Sequence, residues 1–242
     1  MTIRILALMF LLWSVPALAG EDPAQPFPRS KEYPWMSVAS WQERHQRFLK
    51  RAKEGGIELL FVGDSITEGW GGAGRSVWEK EYAPLKAANL GIGGDTTQNV
   101  LWRLANGEID GLQPRAVVLM IGTNNFGLHG DKPVDVVRGI TAVVASLRQR
   151  LPAARILVLG IFPRDAKPSA PVRSSIATVN DGIAKLADGE QVFYRDLGAA
   201  FTEPDGSLAK EVMPDALHLS PEGYRRWAEA MREPLAAVLE GK

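Results

Sequence analysis

Apolar positions along this chain follow two rhythms. Five short runs are nearly continuous in aliphatic and small residues, at 57–62, 87–90, 116–121, 155–162 and 191–194. Runs this short, with starts about 30 to 40 residues apart, predict buried parallel strands joined by helical crossovers. Between them the period lengthens. Over 135–151, Val136, Val137, Ile140, Val143, Val144 and Leu147 form a 3.6-residue stripe, and a weaker stripe runs through Ile176, Val179, Ile183 and Leu186 within 172–186. Another helix is predicted over 41–53, where charges interleave with Trp41, His45, Phe48 and Leu49. A last one opens on Ser220-Pro221-Glu222, which supplies an N-cap, a first-position proline and an acidic first turn, and runs to about 239. The fold class predicted is α/β: a three-layer α/β/α sandwich with a mostly parallel five-stranded sheet of flavodoxin-like type.

The flanking sequence changes the picture at one end. Residues 20–40 are polar and rich in proline (Pro23, Pro26, Pro28, Pro34) and read as an extended lead-in to a single domain over 41–242. Ahead of them, Arg4, the apolar stretch 5–15 and Ala17-Leu18-Ala19 have the layout of a cleavable secretory signal peptide over 1–19. The apolar stretch is about 11 residues, short of the ~18 of a membrane span, so no stable membrane insertion is expected. The expected location is periplasmic or secreted. With 28 basic and 28 acidic side chains the formal net charge is zero, and nucleic acid is not an expected partner. Cysteine is absent, which rules out disulfides, thiol catalysis and thiolate metal sites. His45, His129 and His218 show no second ligand at metal spacing, so neither a metal nor a cofactor is expected.

Candidate chemistry gathers where the strands end. Ser65 follows the first run in Gly63-Asp64-Ser65-Ile66; Gly93-Gly94 follow the second; Gly122-Thr123-Asn124-Asn125 follow the third. Near the other end of the chain stands Asp215-Ala216-Leu217-His218. A serine hydroxyl is a poor nucleophile until an adjacent base takes its proton, and that base needs an anion to fix its tautomer. Ser65, His218 and Asp215 are candidates for those three roles. Each residue also has a plain structural reading. Asp64 or Ser65 can cap a helix, 91–94 can be a tight turn or half of a phosphate loop, Asn124 a turn residue, His218 a packed histidine and Asp215 a cap. His129 reads as a solvated loop histidine, with a place at the site mouth as the alternative. Asp64 reads as a residue that holds backbone through hydrogen bonds.

Taken together, Gly63-Asp64-Ser65-Ile66, Gly94, Gly122-Thr123-Asn124-Asn125 and Asp215-x-x-His218 resemble, in order, the four signature blocks of the SGNH (GDSL-type) hydrolases. The longer stretch 89–97, followed by Val100-Leu101-Trp102-Arg103-Leu104, is similar to the catalytic subunits of platelet-activating factor acetylhydrolase type Ib and to bacterial secreted esterases. The resemblance spans roughly 57–228, with Ile66 in place of the usual leucine and extra glycines between Ser65 and Trp78. It implies Ser65 as nucleophile, His218 as base and Asp215 as its orienting anion. It also implies an oxyanion hole from the Ser65 and Gly94 N–H groups and the Asn124 amide. The expected activity is metal-independent hydrolysis of short acyl esters, acetyl above all, on a small-molecule or glycan ester substrate. The alternatives are a lysophospholipase or thioesterase for longer chains, a noncatalytic carbohydrate-binding protein, or a flavin or nucleotide binder. Asp64 and Glu68 on either side of Ser65 speak against a phosphate cradle there.

Overall fold

The computed structural model describes residues 21–241; the signal peptide expected over 1–19 lies outside the described residues. Five strands make one fully parallel sheet: β1 (Leu59–Gly63), β2 (Ala87–Gly91), β3 (Ala116–Met120), β4 (Arg155–Leu159) and β5 (Val192–Arg195), in spatial order β2-β1-β3-β4-β5. Every residue of β1 and β3 is buried, because helices cover both faces, and this is why those strands read as continuous apolar runs without alternation. The predicted fourth run overshoots: β4 ends at Leu159, the Gly160 N–H still donates to the Arg195 carbonyl at 2.9 Å, and at Ile161 the Asn180 side chain replaces a neighbouring strand, accepting from its N–H at 2.8 Å and donating to its carbonyl at 3.1 Å.

Among the described residues seven α-helices connect and cover the sheet: α1 (Val38–Glu54), α2 (Ser65–Glu68), α3 (Arg75–Glu81), α4 (Thr97–Ala105), α5 (Pro133–Arg150), α6 (Pro171–Ala184) and α7 (Pro221–Glu240). The period-2 geometry of the strands divides the core. Leu60, Val62, Val117, Leu119, Ile156 and Val158 point into one layer, packed by α1, α4, α5 and α6. Leu59, Phe61, Val118, Met120, Leu157 and Leu159 point into the other, against α7 and the aromatic residues Trp70, Tyr224 and Trp227. The Ser220 hydroxyl caps α7, accepting from Gly223 N–H at 3.1 Å, as its sequence predicts. Helix α1 begins earlier than its apolar pattern, at a Ser37 side chain that accepts from Ser40 N–H.

The lead-in is extended but not loose. Phe27 N–H donates to the Gln98 carbonyl, Thr97 and Asn99 side chains donate to the Pro23 and Phe27 carbonyls, and the Arg29 side chain is buried. Arg29 completes a buried chain of charge beside the sheet. Its Nη2 meets Asp95 Oδ1 at 3.1 Å, Arg103 Nε meets Asp95 Oδ2 at 2.7 Å, Arg103 Nη1 pairs with Glu108, and Glu108 Oε1 lies 2.8 Å from His45 Nδ1. Burial pushes the Asp95 carboxyl upward, and the two guanidiniums and the Trp41 N–H pull against it. Taking one member from such a chain strands its partners in a low dielectric. Arg103→Met should therefore destabilise the protein by about 3–5 kcal/mol, read as a lower urea midpoint at unchanged slope. A midpoint equal to the wild type would show that the chain carries no stability.

Candidate active site

In a sheet ordered β2-β1-β3, the chain runs outward from β1 to β2 and then returns to the far side of β1 to build β3. A crevice opens at that switch point, beyond the carboxyl ends of β1 and β3. Ser65 lies just past β1, Gly94 past β2 and Asn124 past β3, so one topological feature collects all three. All three line a cleft of about 410 Å³ together with His218.

Ser65 is the first residue of α2, and Asp64 caps it by accepting from the Ile66 N–H at 3.0 Å. Helix α2 can sit this close to β2 because Gly91 has no side chain; a Cβ there would stand 2.2 Å from Glu68 N. From above, Tyr224 on α7 donates its hydroxyl to the Ile66 carbonyl at 2.6 Å. Helix α2, and the serine with it, is thus held between β2 and Tyr224.

The second half of the site comes from the loop before α7. Ala216 adopts φ 57°, a left-handed conformation uncommon for a residue with a Cβ. That turn lets the Asp215 carboxylate curl over its own loop: Oδ1 accepts from Leu217 N–H at 3.0 Å and from His218 N–H at 2.7 Å. Oδ2 lies 2.7 Å from His218 Nδ1, and His218 Nε2 lies 2.9 Å from Ser65 Oγ. Partial burial raises the Asp215 carboxyl, but the hydrogen bonds from His218 and Leu217 outweigh it and hold the group below the usual carboxylate range. An anion on Nδ1 keeps that nitrogen protonated, which leaves Nε2 to accept from the serine. Both side chains are about half exposed, so the line of three lies at the protein surface.

Facing Ser65 is a group of N–H donors. The Ser65 N–H, first in its helix, and the Gly94 N–H have no partner among the described residues. Asn124 is buried and donates one amide hydrogen to the Asp95 carbonyl at 2.9 Å, which orients the group and leaves its second hydrogen unbound. Gly94 has φ 75°, and a Cβ there would fall 2.2 Å from the Trp35 ring, so both conformation and space exclude a side chain. Arg29 Nη2 grips the neighbouring Gly93 carbonyl at 2.7 Å, while Glu68 Oε2 accepts the Gly93 N–H at 2.7 Å.

Several cleft residues escape sequence reasoning. Trp35 and Met36 come from the lead-in, Arg44 from α1, and Leu128 and Arg164 from the loops after β3 and β4. Trp35 stacks on Tyr33 with ring centroids 4.8 Å apart, and both rings lie within cation–π distance of Arg29. No periodicity announces them; an exposed aromatic in a proline-rich stretch is the one available hint. The stretch 69–74, which holds the extra glycines between Ser65 and Trp78, turns Trp70 into the core beneath Tyr224 and lines none of the cleft. His129 is exposed, with Nδ1 at 3.3 Å from Gln98 Nε2, and is not part of the cleft wall.

An α/β fold carrying a hydroxyl, an imidazole and a carboxylate in line at a sheet switch point has the construction of a serine-type acyl hydrolase. The comparisons assign the class. The profile of the GDSL-like lipase/acylhydrolase family matches residues 61–226, and the chain belongs to that family; it is an ester hydrolase. It is 38% identical over 226 residues to the platelet-activating factor acetylhydrolase IB subunit alpha1 of Homo sapiens, covering 92% of this chain and 94% of that one. It is likewise 38% identical over 204 residues to the alpha2 subunit of Rattus norvegicus, covering 83% and 85%. Among solved structures, a GDSL-like lipase from Bacteroides thetaiotaomicron superposes with a TM-score of 0.65 at 17% identity, over 79% of this chain and 97% of that one. A catalytic mutant of an acetylxylan esterase from Geobacillus stearothermophilus gives 0.59 at 22%, over 74% and 94%. These two likenesses are of fold.

Asp64, like Asp95, is a buried carboxyl, but it has no guanidinium partner among the described residues. It is 1% exposed, its Oδ2 has no partner among the described residues, and burial, reinforced by nearby Asp95, pushes it up to about 7. Unfolded, an aspartate titrates near 3.9, so between those values the folded state binds a proton that the unfolded state releases. The resulting stability is complete below about pH 4 and is lost as pH rises through about 7. Asp64→Asn should remove that fall: over this window its melting temperature should decline less than that of the wild type. Parallel melting curves against pH would mean that Asp64 does not titrate there.

Proposed function

We propose that the protein is a serine esterase that removes short acyl groups, acetyl above all, from a small or glycan alcohol. In this reading Ser65 attacks the acyl carbon while His218 Nε2 takes its proton, and Asp215 stabilises the imidazolium that results. The carbonyl oxygen becomes an oxyanion held by the Ser65 and Gly94 N–H groups and the free hydrogen of Asn124. His218 then protonates the departing alcohol. Water repeats the sequence on the acyl-serine, releasing the acid and restoring the hydroxyl. The observation that carries this reading is the pair of contacts at 2.9 Å and 2.7 Å that run from Ser65 through His218 to Asp215, facing three unspent donors.

The acyl preference draws support from two directions. A cleft of about 410 Å³ must hold both halves of the ester. Several relatives and neighbours bear the names of acetylhydrolase or acetylxylan esterase. The leader pattern of residues 1–19 supports action in the periplasm or outside the cell. No helix among the described residues is long and apolar enough to cross a membrane.

Ser65→Ala and His218→Ala should each lower kcat on p-nitrophenyl acetate by about 10⁴–10⁶-fold with melting behaviour retained, because nucleophile and base work as a unit. Asn124→Ala should cost about 10²–10³-fold, in kcat rather than KM, since its amide serves an anion present only in the transition state. Wild-type turnover by Ser65→Ala would remove the assignment. On a series of p-nitrophenyl esters, acetate and butyrate should be turned over well and decanoate poorly. A true lipase site gains about 0.8 kcal/mol for each methylene it buries, so kcat/KM rising from acetate to decanoate would point instead to a lysophospholipase.

A further inference from the structure

Most of the charge facing the cleft is already paired. Arg44 and Glu68, which line it, pair with each other, and His218 is paired from behind by Asp215. Arg164 is different. It lines the cleft alongside Ser65 and Asn124, half buried, and its Nη1 donates to the Thr123 carbonyl at 3.1 Å and hydroxyl at 3.3 Å, both neutral. No carboxylate among the described residues lies within ion-pair distance of it. The carboxyl that feels its field is Asp64, which is sealed behind Ser65 and does not face the cleft. The guanidinium is also held in place. The loop after β3 crosses it at Gly127, where a Cβ would lie 2.7 Å from Nη1. Thr123 anchors one nitrogen and leaves the Nε and Nη2 edge without an acceptor among the described residues.

A half-buried guanidinium gives up hydration, and here no ion-paired carboxylate among the described residues repays that loss. Its planar fork suits a carboxylate or phosphate oxygen pair. We propose that Arg164 is an anion subsite: the ester this protein hydrolyses carries a carboxylate or a phosphate on its alcohol part, bound by Arg164 while the acyl carbon faces Ser65. The inference rests on the serine esterase reading above and narrows its substrate class to esters of anionic alcohols. A uronic acid residue and a glycerol phosphate present the same chemistry to the guanidinium.

The test follows acetate release from matched pairs: an O-acetylated uronic acid against its uronamide, and acetylglycerol phosphate against acetylglycerol. At least one charged member should be favoured in kcat/KM by on the order of 10–100-fold, and which pair shows it identifies carboxylate or phosphate as the anion. That ratio should fall towards one in Arg164→Gln and recover partly in Arg164→Lys; any loss common to both esters, such as a disturbed Thr123, cancels in the ratio. In the wild type it should shrink as ionic strength rises from about 0.05 to about 0.5 M, a readout that stands even if a variant fails to fold. A wild-type ratio near one for both pairs, or a preference that survives Arg164→Gln, overturns the subsite. With p-nitrophenyl acetate run alongside, those results leave the esterase reading intact if that ester is cleaved. Failure to cleave any of the esters overturns both.

Discussion

Asp95 ties the site together through both its side chain and its backbone. Its carboxylate is wholly buried and is gripped by Arg103 from α4, Arg29 from the lead-in and the Trp41 indole from α1. Its backbone carbonyl orients the Asn124 amide, and its neighbour Gly94 offers a free N–H to the cleft. A charge can be kept in such a place only when its partners are fixed in position. The loop after β2 therefore has one conformation in which the carboxylate is satisfied, and that conformation aims the donors. Preorganised dipoles of this kind serve an oxyanion well, because nothing needs to reorganise as charge develops.

The remaining parts depend on that frame in different ways. Ser65 is held by the stacking of α2 between β2 and Tyr224, whereas His218 and Asp215 sit half exposed on a strained turn ahead of α7. Rigidity is thus concentrated in the donor side of the cleft, and the imidazole side relies on three hydrogen bonds to a single carboxylate. The lead-in adds a wall. Through Arg29 it reaches the buried charge chain, and through Trp35 and Met36 it borders the space where substrate would lie.

What could be read from sequence follows from what has a period or a motif. The strands were legible because burial on two faces makes them uniformly apolar, and α5 and α7 because one face of each is buried and Ser220 caps the latter. Ser65, Gly94, Asn124, Asp215 and His218 stood out because each follows a strand or keeps a fixed spacing, although their contacts exist only in three dimensions. The lead-in was legible as extended but not as integral, since its ties are single long-range hydrogen bonds such as Thr97 Oγ1 to the Pro23 carbonyl. Arg29, Arg44 and Arg164 carry no local signal at all: an arginine that closes a tertiary network has the same neighbours in sequence as one that faces water. Of the extra glycines between Ser65 and Trp78, Gly69 and Gly74 answer to packing that only the fold reveals, because Tyr224 and Trp70 leave no room there for a Cβ.

The central claim is that the loop after β2, fixed by Asp95, presents an oxyanion hole to an acyl group on Ser65. A crystal structure of the protein inactivated with a p-nitrophenyl alkylphosphonate tests it most directly, because the tetrahedral phosphorus imitates the intermediate. The result expected is a bond from Ser65 Oγ to phosphorus. One phosphonyl oxygen should lie about 2.7–3.1 Å from Ser65 N, Gly94 N and Asn124 Nδ2, with the Asn124 link to Asp95 retained. Phosphonate attached to another residue, or a phosphonyl oxygen turned away from Gly94 and Asn124 into solvent, would contradict it.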